Sequence, residues 1–336
     1  MFSLFFLPST HGAASRTVTI GRGILLLFLI GVIAFGAYSE NLSILNAFGT
    51  VFMYAILAQA WNILGGYGGY LNFGMVTFFG IGAYTTALLF FFYKLSPFLT
   101  APIAGLVAAL VGFAIGVSTL RLRGAYFAIV TMIITFSIQI LVLDMRFTQG
   151  ALGIYLDPLP ITPLGLERLF YFLFFGIALL VTLLVYAIEH SNFGWGLVAI
   201  REDEDAAEIV GVRTTEVKWV ANALACCIAG IVGGLYAQRI MYLEPIGTFS
   251  FDISLNVVLM SVIGGPGTWQ GPLIGAPIVL LVADLLRVTV TSEVNRTIFS
   301  IVVIFVALFV PGGIMGMFRQ IRKQRRLREA NRLANG

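Results

Sequence analysis

Long hydrophobic runs constrain this chain more than any other feature. Runs of roughly 17 to 25 apolar residues, the length that crosses a hydrocarbon core as a helix, recur between short polar or Gly/Pro-rich breaks. Hydrophobic residues make up 59% of the chain and charged residues only 11%, whereas soluble domains carry about 25% charged residues. Such a chain cannot cover a soluble surface, so the sequence predicts an all-α integral membrane protein.

The hydrophobic runs divide into segments that are predicted to span the membrane. They are residues 23–38, 44–64, 75–93, 101–120, 125–143, 170–188, 218–238, 253–264, 273–290 and 297–310. The segment 253–264 is short for a full crossing, and Gly-rich stretches flank several spans, which favours bent or broken helices in a bundle of about ten transmembrane helices. We expect a cytoplasmic segment at 1–22, one transmembrane domain at 23–315 and a basic cytoplasmic tail at 316–336.

The positions of the basic residues predict the orientation. Fourteen of the twenty Lys and Arg residues fall on the side that carries both termini, five fall on the other side, and Arg287 lies within a predicted span. An excess of Lys and Arg marks the cytoplasmic side, so we expect both termini in the cytoplasm. The tail from Arg319 to Arg332 is expected to attract anionic membrane lipid rather than nucleic acid.

The sequence lacks the motifs of a catalytic protein. The two histidines, His11 and His190, do not belong to an HExxH motif, and Cys226 and Cys227 are adjacent within an apolar run, which suits neither a disulfide framework nor a zinc site. None of the three lysines follows a glycine, so the chain has no P-loop. We expect no enzyme activity, no cofactor and no metal site, and ATP-driven transport would need a nucleotide site on another polypeptide.

The most highly charged stretch between two spans lies in residues 191–217, which we name the acidic loop. Acidic residues precede a short helical pattern that Gly211 can end, an order that places negative charge at the positive end of a helix. The small alanines would let that helix lie closely against a partner. A short acidic helix in any polar loop is the alternative. The predicted contact residues are Arg201, Glu202, Asp203, Glu204, Asp205, Ala206, Ala207, Glu208 and Gly211.

Two Gly-rich segments, residues 62–74 and 262–276, interrupt apolar runs in the two halves of the chain. Paired broken helices of this kind line transport paths in membrane proteins. The alternative is that the glycines allow tight helix packing or form a cytoplasmic turn. The residues predicted to lie along a translocation path are Asn62, Gly65, Gly66, Tyr67, Gly68, Gly69, Tyr70, Asn72, Gly264, Gly265 and Gly267.

Several isolated polar residues have simpler roles. Arg121 and Arg123 are expected to anchor the chain at the inner membrane face, with a second contact to a separate ATPase as the alternative. Polar side chains within the spans are expected to join helices to one another more than to contact solute. These residues are Gln139, Asn222, Asn256 and the pair Asp284 and Arg287, which lie one helical turn apart.

Four segments together resemble the permease subunits of branched-chain amino acid ABC importers, in particular the M-type subunit. They are residues 62–84 (NILGGYGGYLNFG followed by FFGIGAY), 120–131 (LRLRGAYFAIVT), 199–211 (AIREDEDAAEIVG) and 262–276 (VIGGPGTWQGPLIGA). The third resembles the EAAxxxG coupling loop of ABC importers, with Asp205 where the motif has Glu. Asn72 and Met75 also depart from the family pattern, which usually has Ser and His there.

The resemblance implies a function and a set of partners. The partners would be two ABC ATPase subunits with the acidic loop in an ATPase cleft, a second similar permease, and a periplasmic solute-binding protein. The assembly would lie in a bacterial inner membrane and import leucine, isoleucine or valine by alternating access, or else urea, amides or carboxylates. The outer segment 144–167 would dock the binding protein or serve as a plain connector.

Two other classes remain as alternatives. A stand-alone channel or ion-coupled carrier would be expected to carry intramembrane acids, and a membrane enzyme would need a nucleophile, a base or a metal cluster.

Overall fold

The computed structural model describes residues 30–289 and 312–317. The described chain is built almost entirely of helices, and residues 30–38 are also helical. The helices are α1 (Leu42–Trp61), α2 (Met75–Tyr93), α3 (Pro97–Thr119), α4 (Ala125–Asp144), α5 (Pro163–Glu189), α6 (Asn192–Glu202), α7 (Glu204–Ile209), α8 (Thr214–Ile240), α9 (Pro245–Thr248), α10 (Phe251–Gly264) and α11 (Gly271–Thr289). A π-helical segment, Asn62–Tyr67, continues α1. The predicted all-α class is confirmed.

Seven helical segments among the described residues are long and apolar enough to cross a membrane. They are Leu42–Tyr67, Met75–Tyr93, Pro97–Thr119, Ala125–Asp144, Pro163–Glu189, Thr214–Ile240 and Pro245–Gly264. The last corresponds to the short predicted span 253–264, which α9 lengthens to 20 residues. A shorter apolar helix, Gly271–Leu285, follows. The multi-pass architecture is therefore confirmed, while the count of about ten stays a prediction.

Some predictions fall outside the described residues. These are the segment 1–22, the span 297–310, nearly all of the tail 316–336 and the side chain of Arg287. The proposed pair between Asp284 and Arg287 therefore stays a prediction.

Helix α8 occupies the centre of the bundle, where its small residues let α2 and α3 approach closely. A Cβ atom on Gly82 of α2 would lie 2.1 Å from the carbonyl oxygen of Gly230, and one on Gly233 would lie 1.9 Å from that of Phe79. Such backbone-to-backbone contact is typical of membrane helices. Asn222 also joins α8 to α3, because its Nδ2 donates to the Gly112 carbonyl at 2.7 Å, in agreement with the interhelical role predicted for it.

Two short strands organise one end of the bundle. Strand β1 (Ile154–Tyr155) pairs antiparallel with β2 (Tyr242–Leu243), so the long loop between α4 and α5 is tied to the connection after α8. Lys94 forms an ion pair of 3.0 Å with Asp157 of the same loop. The segment 144–167 is therefore an ordered part of the molecule, in which two short 3₁₀ turns precede the strand and α5 begins at Pro163.

A buried ion pair joins three helices at the same end. Nη2 of Arg239, at the end of α8, lies 3.3 Å from Oε2 of Glu167 in α5 and donates to the Asn46 carbonyl of α1 at 2.8 Å. Nδ2 of the Asn46 side chain in turn donates to Glu167 Oε1 at 3.0 Å. The two charged side chains are only 7% and 13% exposed, so this pair fixes α1, α5 and α8 relative to one another. We name this end the strand end, and the end that carries the acidic loop the acidic-loop end.

Candidate functional site

The acidic loop folds into two helices that are separated by a single capping residue. Helix α6 ends at Glu202, and Asp203 then adopts an extended backbone with φ of −161°. The Asp203 carboxylate accepts hydrogen bonds from the amides of Asp205 and Ala206, both at 3.0 Å, which caps α7. Gly211 has φ of +93° and follows the end of α7. The short helix with acidic residues at its start is thus present as predicted, whereas α6 was not predicted.

Glu204 anchors α7 to the bundle. Its carboxylate is 9% exposed and contacts Nζ of Lys218, which is itself 6% exposed, at the start of α8. The Tyr70 hydroxyl donates to Glu204 Oε2 at 2.8 Å, and Nε of Arg123 lies 3.1 Å from the same oxygen. Lys218 also donates to the Leu120 carbonyl at 3.0 Å. We name Glu204, Lys218, Tyr70 and Arg123 the Glu204 cluster.

The Glu204 cluster keeps its carboxylate ionised. Burial raises the pKa of Glu204, but hydrogen bonds from Lys218 and Tyr70, together with the positive charges of Lys218 and Arg123, outweigh burial and hold that pKa below its usual value. Burial and the neighbouring carboxylate raise the pKa of Tyr70, so its hydroxyl keeps the proton that it donates. The cluster is therefore a charged, hydrogen-bonded anchor at neutral pH.

Arg123 also binds the residue that occupies the motif position. Its two terminal nitrogens donate to the two carboxylate oxygens of Asp205 at 2.8 and 3.1 Å, a bidentate geometry that also lowers the pKa of Asp205. Asp205 thus contacts this chain's own segment between α3 and α4. Sequence reasoning treated Arg123 as a membrane anchor and missed this contact, because nothing in the sequence relates residues 82 positions apart.

One face of α7 is exposed and carries apolar side chains. Ile209 is 86% exposed and Val210 is 79% exposed, although both are large apolar residues next to a charged helix. Of the two alanines, Ala206 is exposed while Ala207 is buried against the chain's own core. We name Ala206, Ile209 and Val210 the α7 face.

The two Gly-rich segments meet at the acidic-loop end. The Asn62 side chain bridges them, because its Nδ2 donates to the Thr268 carbonyl at 3.0 Å and its Oδ1 accepts from the Gly267 amide at 2.9 Å. A Cβ atom on Gly66 would lie 2.6 Å from the Gly267 amide nitrogen, so the backbones touch. We name residues 62–74 and 264–271 the Gly junction.

The acidic loop and the end of α5 hold the Gly junction. Arg201 of α6 donates to the Gly66 carbonyl at 3.0 Å, and its aliphatic stem packs on Gly69, where a Cβ atom would lie 2.9 Å from Arg201 Cγ. The Glu189 carboxylate accepts from the Tyr67 hydroxyl at 2.6 Å and from the Trp269 amide at 3.0 Å. The Gly junction is therefore bound to α6 and to the end of α5, the two helices that precede α7 in the chain.

The residues predicted to lie along a translocation path are close together in the structure, but most of them are buried by other residues of this chain. Asn62, Gly65, Gly66, Tyr67, Gly68, Tyr70, Asn72, Gly264 and Gly265 are buried, Gly267 is half-buried and Gly69 is exposed. Asn72, one of the departures from the family pattern, accepts from the Gly74 amide at 2.7 Å in the turn before α2. These contacts agree with the packing alternative for the glycines, and the path assignment itself stays a prediction.

Two residues important to this site were missed by sequence reasoning. Glu189 was not singled out, and Lys218 was counted only as a basic residue at the inner face. A lysine among the first residues of an apolar helix, next to an acidic loop, is the signal that could have identified Lys218 as a partner for one of those acids.

Comparisons with known proteins extend the resemblance over the whole bundle. Residues 43–308 match the family described as branched-chain amino acid transport system / permease component. The chain is 29% identical over 343 residues to the high-affinity branched-chain amino acid transport system permease protein LivM of Salmonella typhimurium and equally to that of Escherichia coli, with 94% of this chain and 79% of each relative covered.

A more distant relative points the same way. The chain is 24% identical over 272 residues to the probable branched-chain amino acid transport permease protein LivH of Methanocaldococcus jannaschii, with 73% of this chain and 83% of the relative covered. No solved structure matches. Because the family match begins at α1 and extends beyond α11, the resemblance inferred from the four sequence segments is confirmed: the chain belongs to the family of branched-chain amino acid transport system permease components.

Proposed function

We propose that this permease is driven by a separate ATPase that docks on the α7 face. The single observation that carries this proposal is that α7 is fixed to the bundle on one side and exposes Ile209 and Val210 on the other. Large apolar residues at such exposure, next to charged side chains that can set register, are typical of a contact with another protein.

The proposal assigns the acidic-loop end to the cytoplasm and the strand end to the periplasm of a bacterial inner membrane. Fourteen of the twenty basic residues belong to the proposed cytoplasmic side, in agreement with the positive-inside rule. Of the five on the other side, Arg239 is bound within the bundle to Glu167. It therefore does not act as an anchoring surface charge.

The contacts of α7 support a route for the energy input. A force on the α7 face would reach α8 through Glu204 and Lys218, and would reach the Gly junction through Arg201. In this proposal the Gly junction closes the cytoplasmic end of the translocation path, which opens when the acidic loop moves. A second permease of the same family would supply the other side of the path.

The solute is proposed from the relatives. The LivM and LivH proteins that the chain matches are branched-chain amino acid permeases by name, so leucine, isoleucine and valine are the proposed solutes, delivered by a periplasmic binding protein. Urea, amides and carboxylates are the alternatives to test in the same assay.

The test replaces one apolar residue of the α7 face. Ile209→Asp should abolish co-purification of the ATPase and ATP-driven leucine uptake in membrane vesicles, because it puts a charge into a desolvated contact. Leu152→Asp is the matched control, since Leu152 is 77% exposed at the strand end, and it should retain the ATPase.

Two results would overturn the proposal. One is an unchanged ATPase yield with Ile209→Asp. The other is uptake that continues in vesicles depleted of ATP but supplied with an ion gradient, which would favour the ion-coupled carrier.

A further inference from the structure

A cavity of about 340 Å³ opens at the acidic-loop end, beside the Glu204 cluster. Its walls come from the end of α3, the segment before α4, the start of α7 and the first turns of α8. Three basic side chains line it, those of Arg121, Arg123 and Lys218, and one acidic side chain, that of Glu204, does so too. Thr215 and Trp219 complete the polar and aromatic part of the wall. The three residues of the α7 face, which carry the proposed ATPase contact, do not line the cavity.

The charge of the cavity suits an anion. Lys218 is neutralised by Glu204, and Arg123 by Glu204 and Asp205. Arg121 is exposed, and none of the ion pairs between described residues includes it. Thr215 belongs to the first turn of α8, a helix of 27 residues whose N-terminal amides favour negative charge.

An apolar stripe on α3 leads directly to this cavity. Ile103, Leu106, Leu110 and Phe113 are each more than 40% exposed, and their spacing of three or four residues puts them on one helix face. Val117 continues that face into the cavity wall. The rings of Phe113 and Trp219 are in T-shaped contact with their centroids 5.6 Å apart, so apolar and basic surfaces are continuous.

The depth of the cavity fits the headgroup layer of a membrane. Helix α3 ends at Thr119 and α4 begins at Ala125, so Arg121 and Arg123 lie where two spanning helices leave the hydrocarbon. Tryptophan and arginine are favoured at this boundary, and basic pockets between membrane helices bind anionic headgroups.

We infer that this cavity binds the phosphate headgroup of an anionic phospholipid, with Arg121 as its principal contact and the acyl chains along the α3 stripe. The inference is independent of the solute and of the ATPase. A free phosphate ion would use the basic side chains without the stripe, whereas a second permease on the stripe would need no anion. The stripe and the basic cavity together favour the lipid.

The test measures lipid binding to the purified full chain. Vesicles of phosphatidylcholine that contain spin-labelled phosphatidylglycerol report the fraction of that lipid immobilised on the protein. Arg121→Ala should weaken the interaction about fivefold, the factor that corresponds to about 1 kcal/mol for a basic residue near an anionic surface. Spin-labelled phosphatidylcholine should be unaffected.

A control and a second variant separate the possible outcomes. Arg213→Ala removes the same charge at the same end but outside the cavity, where Arg213 is 79% exposed, and should leave binding unchanged. Leu110→Asn should weaken phosphatidylglycerol binding through the stripe while the fold is retained.

Three results would overturn the inference. Equal effects of Arg121→Ala and Arg213→Ala would mean that phosphatidylglycerol binding depends on the general surface charge and not on the cavity. Displacement of the labelled lipid by inorganic phosphate, with Leu110→Asn without effect, would mean a free-phosphate site. Loss of association with a second permease in Leu110→Asn, at unchanged lipid binding, would mean a subunit interface.

Discussion

At the scale of single residues, Glu204 determines how the acidic loop is held. Its carboxylate is nearly buried and has an ammonium, a phenol and a guanidinium as partners. A buried charge of this kind is tolerated only while its partners remain, because the lost hydration must be replaced. The neighbouring residue, Asp205, is exposed by contrast. Of the partners of Glu204, Arg123 is the one that also pairs with Asp205.

Removal of the Lys218 ammonium should destabilise the protein strongly. Lys218→Met leaves the Glu204 carboxylate buried without its main partner, for which a loss on the order of 3 kcal/mol is expected. Arg213→Met, which breaks the exposed pair with Glu216, should change stability by less than about 1 kcal/mol. Thermal unfolding of the two purified variants measures this difference, and equal shifts in Tm would argue against the anchor.

The lowered pKa of Glu204 predicts a pH dependence with a definite sign. Because the folded-state pKa lies below the ordinary value of 4.5, the stability that this carboxylate contributes is present above that value. It is lost as the pH falls through the lower folded-state pKa. The Tm difference between the native chain and Glu204→Gln should therefore stay constant from neutral pH to about pH 5 and shrink only in stronger acid. A difference that vanishes already at pH 5 would contradict the assignment.

At the scale of elements, the Gly junction depends on backbone contact between segments far apart in the chain. The π-helical end of α1 and the turn between α10 and α11 approach through Gly66 and Gly267, and Asn62 bonds across the gap. Arg201 then ties this junction to α6. Side chains larger than hydrogen cannot be accommodated here unless the backbone moves.

A single methyl group should disrupt the junction. Gly66→Ala would put a Cβ atom 1.8 Å from Asn62 Oδ1 and 2.6 Å from the Gly267 amide, and overpacking of this kind costs about 1 to 3 kcal/mol. Gly176→Ala is the control, because nothing lies within 4 Å of that position in the middle of α5. The fraction of folded protein after mild heating should fall for Gly66→Ala alone, and a comparable loss in both variants would contradict the proposed contact.

The elements differ in how far the sequence could predict them. Helix α2 was predicted with its observed bounds, since Gly74 and Lys94 interrupt the apolar run on either side. Helix α6 was missed because its 11 residues are too few for a spanning run and its charges lie only at its end, where they were assigned to the acidic stretch that follows. The contact between Asn62 and Thr268 joins residues 206 positions apart, and no local pattern encodes such a pairing.

At the scale of the whole molecule, the two ends of the bundle are fixed through the same three helices. At the strand end, Asn46, Glu167 and Arg239 join α1, α5 and α8. At the acidic-loop end, α8 is held through Lys218, α5 through Glu189, and the π-helical extension of α1 through its contacts with Arg201 and Glu189. We therefore expect a displacement of α7 to move these helices together.

The central claim is that a separate ATPase contacts the α7 face, and site-specific cross-linking in native membranes tests it most directly. With Val210→Cys and a short thiol-to-amine reagent, we expect a covalent product of this chain and the ATPase. Leu152→Cys at the strand end should give none. The account would be contradicted if Val210→Cys gave no ATPase product while the intact transporter still took up solute at the expense of ATP.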